Sequence, residues 1–253
     1  MITIKKPDEF QKMAVAGAAV AVVLRSVKEA ASPGVTMKDL DAIAAEIIRA
    51  RDCTPSFLGY HGFPAHICTS PNATIVHGIP GDYRLKEGDI LSVDAGAIYE
   101  GFHGDAAITF GIGQVDPKVQ QLLDTTEAGL WAGIQEVKPG ARLGDIGSAV
   151  QAEADRLGYG VVREYVGHGI GRQMHEEPQV PNFGKKGTGM KLRTGMAICI
   201  EPMFNLGGAE TRVEPDGWTV VTADGTLSAH FEHTIGLTED GPVVFTADDL
   251  SSA

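Results

Sequence analysis

The hydrophobic positions of the chain form two kinds of run. Residues 13–24 make an alanine-rich apolar stretch, which predicts a buried helix. Residues 90–93 and 197–200 are short apolar runs of the kind that forms buried strands, and each ends at an acid, Asp94 or Glu201. A single acid at a strand end is usually exposed or paired with a cation, so the pattern gains meaning only if it recurs.

The pattern does recur, because the chain contains a weak internal duplication. Residues 32–40 resemble residues 138–146 at a displacement of 106 positions, and residues 85–94 resemble residues 192–201 at a displacement of 107. Each copy places a Pro-Gly turn after a helical run and then begins a second helix. We therefore predict two helices followed by strands, repeated once.

The duplication also predicts the domain organisation. We expect one catalytic domain over residues 1–253, with halves of roughly 1–115 and 116–253, since Asp116-Pro117 supplies an N-cap residue and a first-turn proline. Two similar halves bury most surface if their strands join one curved sheet with the helices packed outside. The expected fold class is α/β (α+β), with strand-end acids of both halves facing one groove.

Four carboxylates occupy paired positions of the two copies. Asp94 matches Glu201, and a weaker third match pairs Asp105 with Glu232. Converging carboxylates repel each other, and burying them requires protons or cations. Two divalent ions supply four positive charges, and oxygen ligands with one imidazole suit Mn²⁺, Fe²⁺, Co²⁺ or Zn²⁺. In such sites the metals lie ~3.5–4 Å apart and hold a water nucleophile.

Among the eight histidines, His168 and His77 stand out in glycine-containing segments. His168 lies between two glycines and His77 precedes one, which permits a close backbone approach. His175 begins the sequence His-Glu-Glu-Pro-Gln, which is not the zinc motif HExxH, because glutamine replaces the second histidine and proline would disrupt the helix. The chain has no GxxxxGK[ST] phosphate-binding loop and no GxSxG nucleophile elbow. The usual sequence motifs for nucleotide binding and for a serine hydrolase are therefore missing.

Composition and charge narrow the partners and the compartment. The net charge of −12, from 21 basic and 33 acidic residues, argues against nucleic acid or an anionic membrane as the main partner. Three cysteines without a CxxC pair fit a reducing cytoplasm better than a disulfide framework. The N-terminal apolar run imitates a secretory signal, but Asp8 and Glu9 replace its basic region, and the run is too short to span a bilayer.

The sequence resembles the type I methionine aminopeptidases over almost its whole length. The segments that carry this resemblance are Gly59-Tyr60-His61-Gly62-Phe63-Pro64, Val76-His77-Gly78-Ile79-Pro80, Asp94-Ala95-Gly96, Gly101-Phe102-His103-Gly104-Asp105, Gly167-His168-Gly169-Ile170-Gly171, His175-Glu176-Glu177-Pro178 and Phe231-Glu232-His233-Thr234. Seven such segments in order are very specific. The resemblance implies the pita-bread fold, a pseudo-twofold architecture around a curved antiparallel sheet. It also implies removal of the initiator methionine from nascent proteins, with a small second residue preferred.

The resemblance further implies a site with two divalent metal ions. Asp105 and Glu232 would bridge them, Asp94 would bind one in bidentate fashion, and His168 and Glu201 would complete the shell of the other. Glu201 would also act as the general base toward the hydroxide held between the metals.

Substrate contacts are implied in the same way. His175 would stabilise the tetrahedral intermediate, and His77 would contact the substrate near the scissile amide. The residues that match the methionine pocket and its rim are Tyr60, His61, Phe63, Cys68, Met174 and Trp218.

Three positions depart from the family pattern. Met174 stands where the family often has an aromatic residue. His230 stands where glutamine is common, which would add an unassigned imidazole near the metals. Residues 70–73 depart from the commoner acidic version beside a monovalent-cation site, whose matching residues here are Asn72, Thr74 and Ser228.

Three alternatives remain open at this point. Prolidases and aminopeptidase P share the fold, but they usually carry an extra N-terminal domain, and here only about 60 residues precede the Tyr60-His61-Gly62 motif. Type II methionine aminopeptidases carry a helical insertion where Glu201 and Glu232 of this chain are only 31 positions apart. A non-catalytic binding protein on the same scaffold is disfavoured, since mutually repelling carboxylates are costly without metal.

The resemblance implies a cytoplasmic monomer that acts on the N-terminal methionine of nascent chains at or near the ribosome. Neither nucleic acid nor a membrane would be required.

Overall fold

Helices cover the outside of short antiparallel strands in the computed structural model, which describes residues 2–247. The helices are α1 (Pro7–Ala30), α2 (Met37–Ala50), α3 (Pro117–Gln135) and α4 (Leu143–Leu157). The strands are β1 (Thr54–Pro55), β2 (Ile67–Pro71), β3 (Thr74–Val76), β4 (Ile90–Tyr99), β5 (Phe102–Gly111), β6 (Gly160–Val161), β7 (Gly167–Gly169), β8 (Glu176–Val180), β9 (Ala197–Ile200), β10 (Met203–Asn205), β11 (Thr211–Val213), β12 (Val220–Thr222), β13 (Ser228–His230), β14 (His233–Thr238) and β15 (Gly241–Val244).

The two halves repeat each other in backbone pairing. An isolated antiparallel bridge joins Thr36 to Arg84 in the first half, and another joins Arg142 to Lys191 in the second. The paired positions differ by 106 and 107, the same displacements as in the sequence. Thr36 and Arg142 are the N-cap residues of α2 and α4, so each bridge lies where the second helix of a half begins.

Two antiparallel sheets, one from each half, meet at the centre of the molecule. The first has the order β1-β4-β2, with β5 paired along β4, and the second has the order β15-β14-β9-β7-β8. Ala107 of β5 and Glu232 join them, with N–H···O distances of 3.3 and 2.8 Å in the two directions. The predicted arrangement of helices around joined antiparallel strands is therefore present.

Helix α1 is a core helix of the first half. It packs against β4 and β5, and Met13, Val20 and Val27 on its inner face are 0% exposed. The helix extends beyond the predicted apolar run, and it is the one helix among the described residues that length and composition would allow to span a membrane. The sequence analysis excluded a membrane span because the apolar run is too short, and that reason does not hold for the longer helix. Half of the most apolar window of α1 is nevertheless buried inside the structure.

Glycines let α1 lie unusually close to its neighbours. A Cβ atom at Gly17 would stand 2.2 Å from the carbonyl oxygen of Phe245, and one at Gly104 of β5 would stand 2.7 Å from the amide nitrogen of Gly17. These neighbours are backbone atoms, which cannot rotate away. The contact fixes β5, which carries Asp105, against the helix.

Replacing Gly17 by alanine should therefore destabilise the protein. Overpacking of this kind costs about 1–3 kcal/mol, which urea unfolding would measure as a lower midpoint. Gly81→Ala is the matched control, since the nearest heavy atom to its Cβ would lie 3.8 Å away. Equal midpoints for the two variants would contradict the close approach.

Candidate metal centre and substrate cavity

One cavity of about 370 Å³ collects every residue that the sequence analysis placed in the site. Those residues are Tyr60, His61, Phe63, Cys68, His77, Asp94, Asp105, His168, Met174, His175, Glu201, Trp218 and Glu232. Phe57 also lines it and was missed by the sequence analysis. Its ring meets the ring of Phe63 edge-on at 6.4 Å. Its position in the same aromatic stretch as Tyr60 and Phe63 could have indicated that it lines the cavity.

Strand register brings the four acids to one place. In the first half, Asp94 of β4 lies opposite Ala107, two residues from Asp105, so both acids point to the same face of the sheet. Glu201 directly follows β9, and Glu232 directly precedes β14, its neighbour in the second sheet. The acids are therefore supplied by two pairs of neighbouring strands, one pair from each half.

The acids are buried in a way that leaves their charges uncompensated by protein groups. Asp94 Oδ1, Asp105 Oδ1 and Glu232 Oε1 are buried and have no hydrogen-bond partner among the described residues. Burial and the neighbouring carboxylates raise the pKa of Asp94, Glu201 and Glu232 well above the usual range. Burial also raises the pKa of Asp105 to about 7. Protons or cations must compensate such a cluster, and its oxygen donors fit divalent metal ions.

His168 is oriented toward these acids. Its Nδ1 lies 2.9 Å from the carbonyl oxygen of Gly169, and since a carbonyl only accepts, Nδ1 carries the proton. The Nε2 lone pair then faces Glu201 Oε1 at 3.6 Å and Glu232 Oε1 at 4.0 Å. Burial lowers the pKa of His168 to about 3, so the imidazole is neutral and able to bind a metal.

The glycines around His168 have the role that the sequence suggested, although their close neighbours are strands of this chain. A Cβ at Gly167 would stand 2.3 Å from the carbonyl oxygen of Cys199, and one at Gly169 would stand 2.3 Å from that of Glu177. Without side chains at these positions, β7 fits between β8 and β9 and brings His168 over the acids.

Cys199 belongs to the same cluster, which the sequence analysis did not anticipate. Ligand atoms of Asp105, His168, Cys199 and Glu232 all lie within 4.8 Å of one another. Burial and the adjacent carboxylates raise the pKa of the Cys199 thiol, which disfavours the thiolate that a metal would need. The carboxylates and His168 are therefore better ligands. The sequence did contain a signal for this neighbour. Cys199 lies two positions before Glu201, so the two side chains point to the same face of the strand.

His230 is a further neighbour of the acids, as its place just before Phe231-Glu232 led us to expect. Its Nε2 is buried without a hydrogen-bond partner among the described residues and lies 3.8 Å from Glu201 Oε2 and 4.0 Å from Glu232 Oε2. Burial lowers the pKa of His230 to about 3, so it presents a neutral ring to the carboxylates. The departure noted in the sequence therefore lies directly at the site.

The two remaining site histidines line the same cavity. His175 Nδ1 is 2.8 Å from the hydroxyl of Tyr60, and β8 begins at the next residue, so this motif forms a strand and not the helix of a HExxH site. His77 has a positive φ of 60° and packs edge-on against Tyr165 at 5.6 Å. Burial lowers the pKa of His77 to about 4 and also lowers that of His175.

An apolar wall completes the cavity. Phe57, Phe63, Cys68 and Met174 are each 4–6% exposed, and Trp218 packs its ring against Phe63 at 5.2 Å. The wall combines flat aromatic rings with two sulfur-containing side chains, which suits an unbranched apolar group.

The residues of the expected monovalent-cation site are partly brought together. Ser228 donates its backbone N–H to the carbonyl oxygen of Asn72 at 3.0 Å, and Thr74 lies two residues further along, at the start of β3.

Comparison with known proteins places this arrangement in a family. The profile of metallopeptidase family M24 matches residues 11–239, and the chain therefore belongs to that family. It is 46% identical over 246 residues to methionine aminopeptidase 1 of Bacillus subtilis, covering 97% of this chain and 99% of the relative. It is 48% identical over 249 residues to methionine aminopeptidase 1 of Mycobacterium tuberculosis, covering 96% and 94%.

Solved structures confirm the expected pita-bread fold. The methionine aminopeptidase of Thermotoga maritima superposes with a TM-score of 0.96 at 46% identity, covering 97% of this chain and 99% of that one. The prolidase of Pyrococcus furiosus shares the fold at a TM-score of 0.76 and 20% identity, but the match covers only 65% of that longer chain. The resemblance seen in the sequence is therefore confirmed, and the protein is a metallopeptidase of the methionine aminopeptidase group.

Divalent metal should stabilise the metal-stripped protein by binding to the folded state, by about 2.7 kcal/mol at 100 times the dissociation constant. The rise in melting temperature on adding Mn²⁺ should be larger at pH 7.5 than at pH 5.5. At the lower pH, metal must displace a proton from Asp105, whose pKa is about 7.

Asp105→Asn should lose most of this metal-induced rise, whereas Asp124→Asn, at an exposed position of α3, should keep it. Equal rises in the two variants would rule out Asp105 as a ligand.

Proposed function

We propose that this protein hydrolyses the peptide bond after an N-terminal methionine in peptides and nascent proteins. The observation that carries the proposal is a single cavity in which four carboxylates and the neutral rings of His77, His168 and His175 face an apolar wall. The identity of 46–48% to methionine aminopeptidases over nearly the full chain supports the same activity.

Five side chains would hold two divalent metal ions of the Co²⁺, Mn²⁺, Fe²⁺ or Zn²⁺ type. Asp105 and Glu232 would bridge them, with Asp94 on one ion and His168 and Glu201 on the other. The unpartnered carboxylate oxygens and the free Nε2 of His168 support this assignment. When bound, such ions supply a water molecule activated near neutral pH and polarise the scissile carbonyl.

Glu201 is suited to the role of general base. Its carboxyl directly follows β9 and lines the cavity beside the other acids, so it would face the water that the metal ions hold. It would accept the proton of the attacking water and pass it to the leaving amino group.

His175 is suited to stabilise the negative charge that develops on the carbonyl oxygen. If the Tyr60 hydroxyl donates to Nδ1, then Nε2 carries the proton and can donate into the cavity. The neutral ring follows from the lowered pKa of His175. A fixed donor of this kind lowers the barrier to acyl transfer, and neutral His77 would contact the amide on the leaving side.

The apolar wall would receive the methionine side chain. Phe57, Phe63, Cys68, Met174 and Trp218 exclude water and offer polarisable contacts to a thioether. The free α-amino group would enter on the carboxylate side, so a blocked N-terminus would be rejected. We further propose a preference for small second residues and action as a cytoplasmic monomer at or near the ribosome.

Hydrolysis of Met-Ala-Ser by metal-stripped protein, before and after addition of Co²⁺ or Mn²⁺, tests the proposal. Methionine release should require metal, and acetyl-Met-Ala-Ser and Ala-Pro-Ala should not be cleaved. Cleavage of Ala-Pro-Ala instead would indicate a proline-directed peptidase. No cleavage of any peptide by the metal-loaded protein would contradict the proposal and favour a binding protein.

Glu201→Gln should lower kcat by about 10²–10⁴-fold, because general-base catalysis typically contributes that much. Glu210→Gln, at an exposed position outside the cavity, is the matched control and should keep the parent rate. Steady-state kinetics on Met-Ala-Ser with metal content measured in parallel would check this. A Glu201→Gln variant with near-parent kcat would remove Glu201 from the base role.

A further inference from the structure

The N-terminal arm, residues 2–6, lies against the loop at 170–175, which carries Met174 and His175 into the cavity. We propose that Lys5 is a positioning residue for the reaction: through a buried ion pair with Glu176, it holds this loop and thereby fixes His175. The inference rests on the proposed function, in which His175 contacts the substrate.

The ion pair is short and almost completely buried. Lys5 Nζ lies 2.7 Å from Glu176 Oε2, and the two side chains are 4% and 8% exposed. Lys5 Nζ also donates to Thr3 Oγ1 at 2.6 Å, and the Thr3 hydroxyl contacts the same carboxylate. The second carboxylate oxygen, Oε1, accepts the backbone N–H of Gln173 at 3.2 Å. Glu176 therefore ties the arm to the loop through both of its oxygens.

The arm itself is anchored on the core. The N–H of Lys5 donates to the carbonyl oxygen of Gly195 at 2.7 Å, in the turn that precedes β9. A Cβ at Gly195 would stand 2.5 Å from Ile4, and one at Gly171 would stand 2.4 Å from Lys5 Cε. The arm is thus packed closely between the turn before β9 and the loop, and its position is fixed by both.

The tie acts one residue from the proposed catalytic donor. His175 directly precedes Glu176, the first residue of β8. From the other side, Tyr60 holds the His175 ring through its hydroxyl at 2.8 Å. Tyr60 and the His168 ring, at 4.3 Å, therefore restrain the His175 side chain, and the Lys5–Glu176 pair restrains its backbone.

The surroundings show that the loop could move if the pair were lost. A cavity of about 300 Å³ adjoins the ion pair and is lined by residues of the arm, the start of α1 and the loop. Arg172 also ties the loop to Glu9 at 3.1 Å and packs over the ring of Phe102 at 4.4 Å, but its side chain is 65% exposed, so water screens these contacts. The buried pair is the stronger restraint.

The choice of variant follows from the energetics of buried ion pairs. Removing Lys5 alone leaves an uncompensated buried carboxylate, which destabilises the fold strongly, whereas removing both charges is often nearly neutral. The double variant Lys5→Met/Glu176→Gln therefore separates positioning from folding. The control is Lys12→Met/Glu100→Gln, since that pair is 34% and 55% exposed and lies outside the cavity.

The experiment measures kcat, KM, melting temperature and metal content of the Mn²⁺-loaded variants on Met-Ala-Ser. Lys5→Met should lose thermal stability, and the double variant should regain it. Its kcat should nevertheless stay about tenfold or more below the parent value, since a displacement of ~1 Å can cost 10²-fold. Its metal content should be unchanged, and the control should match the parent.

The same double substitution in a His175→Ala background shows whether the effect passes through His175. In that background the double substitution should change kcat by less than about twofold, because the ring that the Lys5–Glu176 pair positions is already absent. Parent kcat in the double variant, or an equal loss in both backgrounds, would overturn the positioning role while leaving the proposed function standing. A parent enzyme inactive on Met-Ala-Ser would overturn both.

Discussion

The mutual repulsion of four carboxylates, two buried and two half-buried, is the constraint on which the rest of this structure depends. Asp94, Asp105, Glu201 and Glu232 come from two sheets, and burial raises the pKa of each above its usual range. A fold that brings such groups together opposes its own stability unless cations bind. The metal site is therefore a part of the folding equilibrium of this protein and more than an accessory to its chemistry.

The rest of the architecture supplies the rigidity that such a cluster requires. Gly17 and Gly104 let helix α1 press directly on β5, and Gly167 and Gly169 let β7 fit between its neighbours. Each contact is made by backbone atoms, which cannot rotate away. These contacts therefore keep the strands close together despite the repulsion between the carboxylates. The duplication provides this support on both sides, since α1 packs on β4 and β5 in the first half and α3 packs on β9 in the second.

Burial and hydrogen bonding set the charge and the proton position of each histidine in the site. His168, His77 and His175 all have lowered pKa values, chiefly through burial, so none adds positive charge to compete with metal. Hydrogen bonds then set what each ring can do. The carbonyl of Gly169 fixes the proton of His168 on Nδ1, which suits the proposed ligand role. A Tyr60 hydroxyl that donates to Nδ1 of His175 would leave the opposite nitrogen free for the proposed donor role.

The sequence alone determined the duplication, the helices, the pairing of acids and the family, because apolar periodicity, turn glycines and short motifs are local signals. It could not show that Phe57 joins the cavity wall, that Cys199 adjoins the acids, or that Lys5 pairs with Glu176 across 171 positions. It also could not show the register of β4 and β5, in which Asp94 lies opposite Ala107, two residues from Asp105. Only tertiary structure decides such contacts, since burial and strand register arise from packing between segments that are distant along the chain.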